Sequence, residues 1–273
     1  MNKNCKRGNP AFVLYKIHME SMTKREILAQ YSWKHDGDWA KIAQALQTHE
    51  PLSRRYQCGN YITIYDELYP PQLRALRHPP WVLFYRGNPE LLKRPSAAVV
   101  GSRKLTEYGE WATERCTELL ADQFVIVSGL AKGADGAAHR TAIAMRGSTI
   151  GVIGCGMNVR YPRENEYLYR RMEKEQLILS EYPDTTGVKK YHFPWRNRIL
   201  AALGDCVIVT QAALRSGTMG TVSAALELGK EVWCVPYPYN MEAGKGCNLL
   251  IAQGANILYD EAVLKNLRPL RSI

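Results

Sequence analysis

The sequence predicts an α/β fold in which a doubly wound parallel sheet follows a small helical module. Short runs rich in valine and isoleucine alternate with helical patterns from residue 97 onwards. Helical spacing of apolar residues fills residues 12–48, and a proline-rich stretch separates the two regions. With 273 residues, 46% of them hydrophobic, the chain is long enough to bury a sizeable core.

The first region, residues 1–60, is predicted to be a small domain of short helices. Thr23 is placed to cap one helix, and Glu26 stands three residues on, where it completes a capping box. The helical runs are 12–19 (FVLYKIHM), 23–33 (TKREILAQYSW) and 37–47 (GDWAKIAQALQ). In the last two, apolar residues recur at helical spacing: Ile27, Leu28, Tyr31, Ile42 and Leu46.

Residues 61–96 are predicted to form an extended connection onto the main domain. Proline pairs occur in YPPQL (69–73) and in HPPWVLFYRG (78–87). Proline interrupts helices and restricts the residue before it to extended conformations. This stretch is therefore expected to lie as extended backbone along a neighbouring surface.

Residues 97–273 are predicted to form the main domain. Its strand candidates are short, apolar and rich in valine and isoleucine, as in strands that are covered on both faces. The predicted strands are 97–101, 124–128, 149–154, 177–180, 206–210, 231–235 and 256–258, and the predicted helices are 107–121, 134–146, 164–175, 197–203, 218–228 and 246–253. Such alternation implies right-handed crossovers and a ligand site beyond the carboxyl ends of the strands.

Four loops that follow predicted strands combine glycine with hydroxyl or basic residues. Glycine lets backbone N–H groups approach an anion, serine and threonine add donors, and the following helix contributes its positive end. We expect these loops to form one phosphate-binding surface at a shared edge of the sheet. The residues that we expect to bind are Gly101, Ser102, Arg103, Ser128, Gly129, Lys132, Arg163, Asn165, Ser216, Gly217 and Thr218.

Two segments, 161–171 and 189–198, interleave cations with aromatic residues. Arginine binds phosphate through a planar fork, and aromatic rings stack on unpaired bases. Arg196, Asn197 and Arg198 are therefore further candidates. The aromatic residues could instead pack in the core, and Arg196 and Arg198 could be structural, with Arg198 on the first turn of a helix bracing neighbouring loops. Single strands are favoured over duplex DNA because no recognition-helix or zinc-finger pattern is present and loop edges suit a flexible backbone.

The overall charge agrees with a polyanionic partner. The formal net charge is +10, from 36 Lys and Arg against 26 Asp and Glu. Such an excess favours nucleic acid or a membrane surface, or it belongs to a basic housekeeping enzyme. No apolar run reaches the length of a membrane span and no signal peptide is complete, so the protein is expected in the cytoplasm.

Neither a metal, a dinucleotide cofactor nor a catalytic group is expected. The seven cysteines form no CxxC pair and are expected to be small buried hydrophobes. The nearest dinucleotide pattern begins at Gly154 and Gly156 but has Val159 where helix packing requires a glycine. Asp135 and His139 lie four residues apart, and we interpret them as a structural pair.

The motifs together resemble one family, that of the DNA-processing protein DprA, also called Smf. The motifs are, in order, AVVGSRKLTEYG, SGLAKGADGAAH, GVIGCGMNVRYPREN, SEYP, FPWRNRILAALGDCVIV, SGTMGTVSAALELGKEVWCVP and GCNLLIAQGAN. The resemblance covers roughly residues 61–259. It implies an extended Rossmann-like domain that binds single-stranded DNA without catalysis, preceded by a SAM-like helical domain. Many relatives also carry a C-terminal winged helix, which is not expected here because few residues follow the last predicted strand.

The resemblance also implies partners and roles for particular residues. Arg103 and Arg163 would be the main phosphate-contacting cations. Homodimerisation and loading of RecA recombinase onto single strands during natural transformation are implied as well. The dimer interface would fall at 247–258 and include Asn248, Leu249, Leu250 and Ile257.

Two positions depart from the family pattern, and one rival function is open. Gln211 stands where glutamate is usual, and Tyr237 and Pro238 replace a glycine. The rival is a nucleoside-monophosphate phosphoribohydrolase, whose related glycine loop carries a glutamate that assists glycosidic cleavage. Ala224 occupies that place here, and Glu227 lies one helical turn further on. The loop is therefore expected to bind and not to catalyse.

Overall fold

A computed structural model describes residues 22–52 and 55–268. Its strands are β1 (Tyr61–Thr63), β2 (Val82–Gly87), β3 (Ser96–Val100), β4 (Val125–Ser128), β5 (Thr149–Ile153), β6 (Leu177–Ser180), β7 (Cys206–Val209), β8 (Glu231–Cys234) and β9 (Asn256–Ile257). They form one nine-stranded sheet in the order β1-β2-β6-β5-β4-β3-β7-β8-β9. The predicted α/β class and all seven predicted strands are confirmed.

The strand order explains where a ligand can enter. From β3 the chain winds outwards through β4 and β5 to β6, then returns to β7 on the other side of β3 and winds outwards to β9. These seven strands are parallel. The winding reverses between β3 and β7, so the loops that follow these two strands diverge and leave a crevice at the carboxyl edge.

The segment 61–96 supplies two strands that the sequence did not predict as strands. β2 pairs antiparallel with β6, with Phe84 opposite Ser180, and β1 pairs antiparallel with β2. The extended backbone that the prolines predicted is thus incorporated into the sheet. Whether 1–60, 61–96 and 97–273 are separate domains stays a prediction.

The helices of the described ranges cover both faces of the sheet or precede it. They are α1 (Lys24–Lys34), α2 (Trp39–Thr48), α3 (Pro71–Arg74), α4 (Glu107–Leu120), α5 (Ala134–Ala144), α6 (Glu166–Glu175), α7 (His192–Leu203), α8 (Thr218–Glu227), α9 (Lys245–Ala252) and α10 (Glu261–Asn266). Thr23 and Glu26 form the predicted capping box of α1. The predicted helix at 12–19 lies outside the described residues. Helix α7 begins five residues before the predicted start at 197, which places the segment 192–196 on the helix.

Two buried clusters hold the fold together. The larger one joins β3, β4 and β7 to the helices around them. The smaller one packs α1 and α2 onto the β2 and β6 side of the sheet, with Leu28, Tyr31 and Ile42 in the same cluster as Phe84 and Ile178. The helical module is therefore fixed to the sheet by apolar burial, which is the dominant favourable term in packing.

The cysteines of the described ranges are unpaired, and all of them except Cys58 are buried, as small hydrophobes would be. None of the helices in these ranges combines the length and the hydrophobicity that a bilayer-spanning segment requires.

Candidate nucleic-acid interface

An open cleft of about 780 Å³ lies at the carboxyl edge of the sheet, where the winding reverses. It is lined by the loops after β3, β4 and β7, by the segment before α7 and by the first turns of α7 and α8. Of the predicted binding residues, the cleft brings together Gly101, Ser102, Arg103, Arg196, Asn197, Ser216, Gly217 and Thr218. Residues that are up to 117 positions apart in the chain therefore meet at one site, as the hydrogen bond from Thr218 to Gly101 illustrates.

The loop after β3 supplies a close backbone approach and an exposed cation. Gly101 has no room for a side chain, because a Cβ there would lie 2.7 Å from the Ala134 Cβ and 2.8 Å from the Thr210 hydroxyl. The Ser102 hydroxyl donates to the Lys104 carbonyl at 2.8 Å and shapes the turn. The Arg103 guanidinium lies over the Phe193 ring, 5.4 Å from its centroid, and remains exposed.

The loop after β4 is held in place by hydrogen bonds to neighbouring strands and loops. Ser128 is fully buried and donates to the Val99 carbonyl at 2.6 Å, so its hydroxyl fixes two neighbouring strands and does not line the cleft. Gly133 has a φ of +72°, and a Cβ there would overlap the Ser102 carbonyl oxygen, so only glycine fits. Because the Ala134 N–H donates to the same carbonyl at 3.1 Å, the loops after β3 and β4 are locked together.

Asn165 also acts on this loop from beneath. Its buried side chain donates to the carbonyls of Leu130 and Ala131, at 3.1 and 2.8 Å. Asn165 therefore positions the backbone of the β4 loop and is absent from the cleft lining.

The loop after β7 completes the cleft with hydroxyl groups. The Ser216 hydroxyl accepts from the Thr218 N–H at 3.2 Å, and the Thr218 hydroxyl donates to the Gly101 carbonyl at 3.1 Å. The Asn197 amide donates to the Gly217 carbonyl at 3.3 Å. Gly217 itself has open space where a Cβ would stand, so the packing around it does not require glycine.

Arg196 forms the floor of the cleft. It is buried, it donates to the Val152 carbonyl, and its buried Nε has no hydrogen-bond partner among the described residues. Burial raises the pKa of the neighbouring Asp135 carboxyl and lowers that of the Arg196 guanidinium, while their mutual attraction opposes both shifts. Gly129 leaves space for both side chains, because a Cβ there would overlap each of them.

His139 has a structural role, but its partner is not Asp135. Its ring nitrogens pair with the Thr149 hydroxyl, at 2.7 Å, and with the Gly129 carbonyl. Burial lowers the pKa of His139 to about 4, so the ring is neutral near pH 7. The Asp135 carboxylate instead accepts from the Ala131 N–H at 3.3 Å. The predicted structural pair is therefore two separate structural groups.

Arg198 turns away from the cleft. Its guanidinium donates to the Glu181 carboxylate at 2.7 Å, and also to the carbonyls of His78 and Trp195. The Arg198 side chain is 11% exposed and that of Glu181 is 4% exposed. This geometry agrees with the bracing role that the sequence left open for Arg198.

Lys132 and Arg163 do not line the cleft. Lys132 lines a smaller pocket of about 80 Å³ beside the cleft, together with Arg103, Tyr161 and Phe193, and it pairs with Glu164. Arg163 is exposed on the turn after Tyr161 and belongs to neither lining. Its role as a phosphate contact stays a prediction.

Two cations in the cleft were absent from the predicted binding set. Lys190 and Arg215 line it and are exposed. Both stand inside segments that the sequence did single out, so their position beside Phe193 and Ser216 was an available signal. Among the residues that line the cleft, four carry a positive side chain and only Asp135 carries a carboxyl group.

Comparison with known proteins places this geometry in a family. The family model described as DNA recombination-mediator protein A matches residues 60–268. The chain belongs to the DprA family. It is 42% identical to DNA processing protein DprA of Streptococcus pneumoniae over 267 residues, which are 90% of this chain and 94% of that protein. It is 40% identical to DprA of Bacillus subtilis over 271 residues, which are 98% of this chain and 89% of that one.

Solved DprA structures have the same fold. The X-ray structure of DprA from Streptococcus pneumoniae matches with a TM-score of 0.76 and 35% identity, covering 95% of this chain and 99% of that one. A structure that describes the single-stranded DNA binding mode of Helicobacter pylori DprA matches with a TM-score of 0.69 and 32% identity. That match covers 76% of this chain and 94% of the other.

The departures from the DprA pattern have structural roles. The Gln211 side-chain oxygen accepts from the N–H and the hydroxyl of Thr106, at 3.0 and 2.9 Å, and its amide donates to the Lys104 carbonyl at 2.9 Å. Gln211 thus holds the start of α4 against the β3 loop without adding charge. Tyr237 donates to the Thr210 carbonyl at 2.7 Å and is buried.

The predicted dimer residues divide into two kinds in this DprA-family chain. Leu249 and Ile257 are 40% and 39% exposed. Leu250 is buried, and the Asn248 side chain is held by two hydrogen bonds to the Tyr237 backbone. Leu249 and Ile257 can therefore meet a partner, whereas Leu250 and Asn248 support the region from within. Within residues 22–52 and 55–268, no cluster of His, Cys, Asp and Glu is arranged to hold a metal ion.

Proposed function

We propose that this protein binds single-stranded DNA in the cleft between β3 and β7, without sequence specificity and without chemistry on the strand. The observation that carries the proposal is the charge of the cleft, which has four cationic side chains and a single, buried carboxyl group where three loops with glycine and hydroxyl or basic residues meet. Backbone N–H groups at helix starts favour phosphate, and arginine binds it through charge-assisted hydrogen bonds.

Stacking on aromatic residues would complement the phosphate contacts. Phe193 and Tyr161 lie in the cleft wall with ring centroids 5.7 Å apart. Base–aromatic stacking contributes roughly 1–3 kcal/mol per base and tolerates any sequence. A wall of this kind accepts unpaired bases, whereas bases in a duplex already stack on each other.

The experiment compares single and double strands. Binding of an oligo-dT of ~25 nucleotides is expected to exceed binding of an equally long duplex at least about tenfold and to weaken steeply with salt. The measurement is an electrophoretic mobility shift over a salt series. Equal affinity for duplex and single strand would contradict the proposal.

The hydrolase alternative requires a carboxylate near a bound nucleotide. Ala224 lies where the glutamate would stand, and Glu227 is absent from the cleft lining. Incubation with AMP or CMP is expected to release no free base, as measured by chromatography. Release of base at a rate proportional to protein concentration would establish an enzyme.

We further propose that the protein acts in the cytoplasm as a homodimer and helps to load RecA onto the strand that it holds. Membership of a recombination-mediator family supports the role, and the exposed apolar pair Leu249 and Ile257 supports the dimer. Replacing both with glutamate is expected to give a monomer in analytical ultracentrifugation. RecA filament formation on single strands is expected to accelerate with the wild-type protein, and the absence of any acceleration would contradict the loading role.

A further inference from the structure

A second cleft, of about 620 Å³, lies between the helical module and the start of α7. Its walls come from the α1–α2 turn, from Tyr182 and from the segment 189–195. Six of its lining side chains are rings: His35, Trp39, Tyr182, Tyr191, His192 and Trp195. Flat π-systems therefore make up nearly half of the lining of this cleft.

These rings are already ordered by contacts with one another. Tyr182 and His192 stack with their centroids 3.8 Å apart, and Tyr191 meets the edge of His192 at 4.7 Å. Trp39 stacks on Trp81 at 5.3 Å. Tyr191 is 66% exposed, so one of its faces is free to stack on a further ring.

The charges of this cleft do not make it a phosphate site. Lys189 pairs with Asp36 at 2.7 Å, and Lys41 lies 3.9 Å from Asp38. Lys34, the third lysine of the lining, pairs with Glu50 at 2.8 Å. Because the cations have local carboxylate partners, an aromatic, largely uncharged group matches the cleft better than a bare anion does.

The two clefts are adjacent along the first turn of α7. Pro194 lines both of them. Phe193 and Arg196 face the main cleft, which is the cleft between β3 and β7, whereas His192 and Trp195 face the second one. The preceding segment alternates in the same way, since Lys190 lines the main cleft and Tyr191 the second. A chain that leaves the main cleft over Pro194 therefore enters the second cleft directly.

We propose that the second cleft stacks unpaired bases of the same DNA strand, beyond the nucleotides that the main cleft holds. This inference rests on the proposed function, because the strand must first bind between β3 and β7. Aromatic grooves also bind proline-rich peptides, but continuity with the cationic cleft favours a nucleotide chain. The helical module thereby becomes part of the DNA-binding surface.

The experiment measures affinity against strand length. Wild type, Tyr191→Ala and the control Tyr65→Ala are titrated with dT oligomers from ~6 to ~30 nucleotides, a range set by typical single-strand site sizes. Tyr65 is also an exposed tyrosine and lines neither cleft. Loss of one stacked base is expected to weaken binding of the longest oligomer at least about fivefold in Tyr191→Ala, and to weaken binding of the shortest much less. Tyr65→Ala is expected to follow wild type at every length.

A second readout locates the base directly. Oligomers with a single 5-iododeoxyuridine are irradiated on the wild-type protein, and crosslinked peptides are identified by mass spectrometry. The proposal expects crosslinks to Trp39 or Tyr191 in long oligomers and their loss in short ones. Crosslinks confined to main-cleft residues, with equal losses of affinity at all lengths, would overturn this proposal and leave the main cleft intact. If the wild-type protein binds no oligomer at all, the proposed function itself is overturned. If a proline-rich peptide quenches the tryptophan fluorescence without displacing DNA, the second cleft is a peptide site instead.

Discussion

Three exposed cations of the main cleft, Arg103, Lys190 and Arg215, can be replaced together by alanine to test how the cleft binds DNA. Arg196 is left in place because it is buried and donates to the Val152 carbonyl, so its loss would disturb the fold. The three chosen side chains are exposed, so the melting temperature of the variant is expected to stay near that of wild type.

The magnitude follows from counterion release. Each phosphate neutralised on a single strand contributes about −0.7 to the slope of log K against log salt, so three contacts contribute about −2. Between about 50 and about 200 mM salt, a slope difference of about 2 makes wild type lose ~20-fold more affinity than the variant. Adding Arg163→Ala is expected to flatten the slope by a further ~0.7 if this residue contacts phosphate.

The assay is fluorescence anisotropy of a labelled oligo-dT over a salt series. A variant with Lys93, Arg171 and Lys265 replaced by alanine is the matched control, because it loses the same charge from exposed local ion pairs outside the cleft. Its slope is expected to equal that of wild type. If both triple variants flatten the slope equally, general charge and not the cleft attracts the strand, and the reasoning is refuted.

Three further predictions concern groups around the cleft. Arg198→Ala is expected to lower the free energy of unfolding, measured in urea, by about 3–5 kcal/mol, because Glu181 loses its buried partner. A variant that is stable but binds DNA weakly would instead show that Arg198 contacts the strand. Gly133→Ala is expected to lower the free energy of unfolding by more than about 1 kcal/mol because of the positive φ. Gly217→Ala is expected to keep full stability, because there is space for its Cβ. A loss of DNA affinity in Gly217→Ala would therefore place the strand beside residue 217. In the folded protein the pKa of His139 is about 4, against 6.5 for the free ring. The free energy of unfolding therefore includes the full contribution of the neutral ring above pH 6.5, and roughly 3 kcal/mol of it is lost as the pH falls to 4. The urea midpoint of His139→Gln is therefore expected to vary less between pH 7 and pH 4 than that of wild type, and equal variation would contradict the assignment.

Much of the architecture was predictable because it depends on local pattern. Runs such as 177–180 (LILS) and 206–209 (CVIV) are buried on both faces, and their short, nearly continuous apolar composition is typical of parallel strands. The capping box at Thr23 is likewise a local pattern and was predicted from spacing alone. In contrast, β2 follows the proline pair at 79–80, and it becomes a strand by pairing with β6, while β1 becomes one by pairing with β2.

The candidate site shows the same division. The glycine and hydroxyl residues that follow the strands predicted an anion-binding edge, and the cleft brings Gly101, Arg103 and Thr218 together there. Sequence could not separate Arg196 from Arg198, because their opposite environments arise from a helix start five residues earlier than the pattern suggested. Nor could it show that Ser128 and Asn165 lie beneath the loops, since burial depends on residues that are distant in the chain.

The sequence by itself determined the α/β class and the family and predicted which loops bind a ligand, because each of these depends on short contiguous motifs. The tertiary structure decided which of the motif residues reach solvent and which hold the backbone of their neighbours. It also decided that the helical module stands beside α7 and forms a second aromatic cleft. The physical reason is that exposure, charge pairing and the shape of a cleft are properties of side chains brought together by long-range packing, and no local pattern contains them.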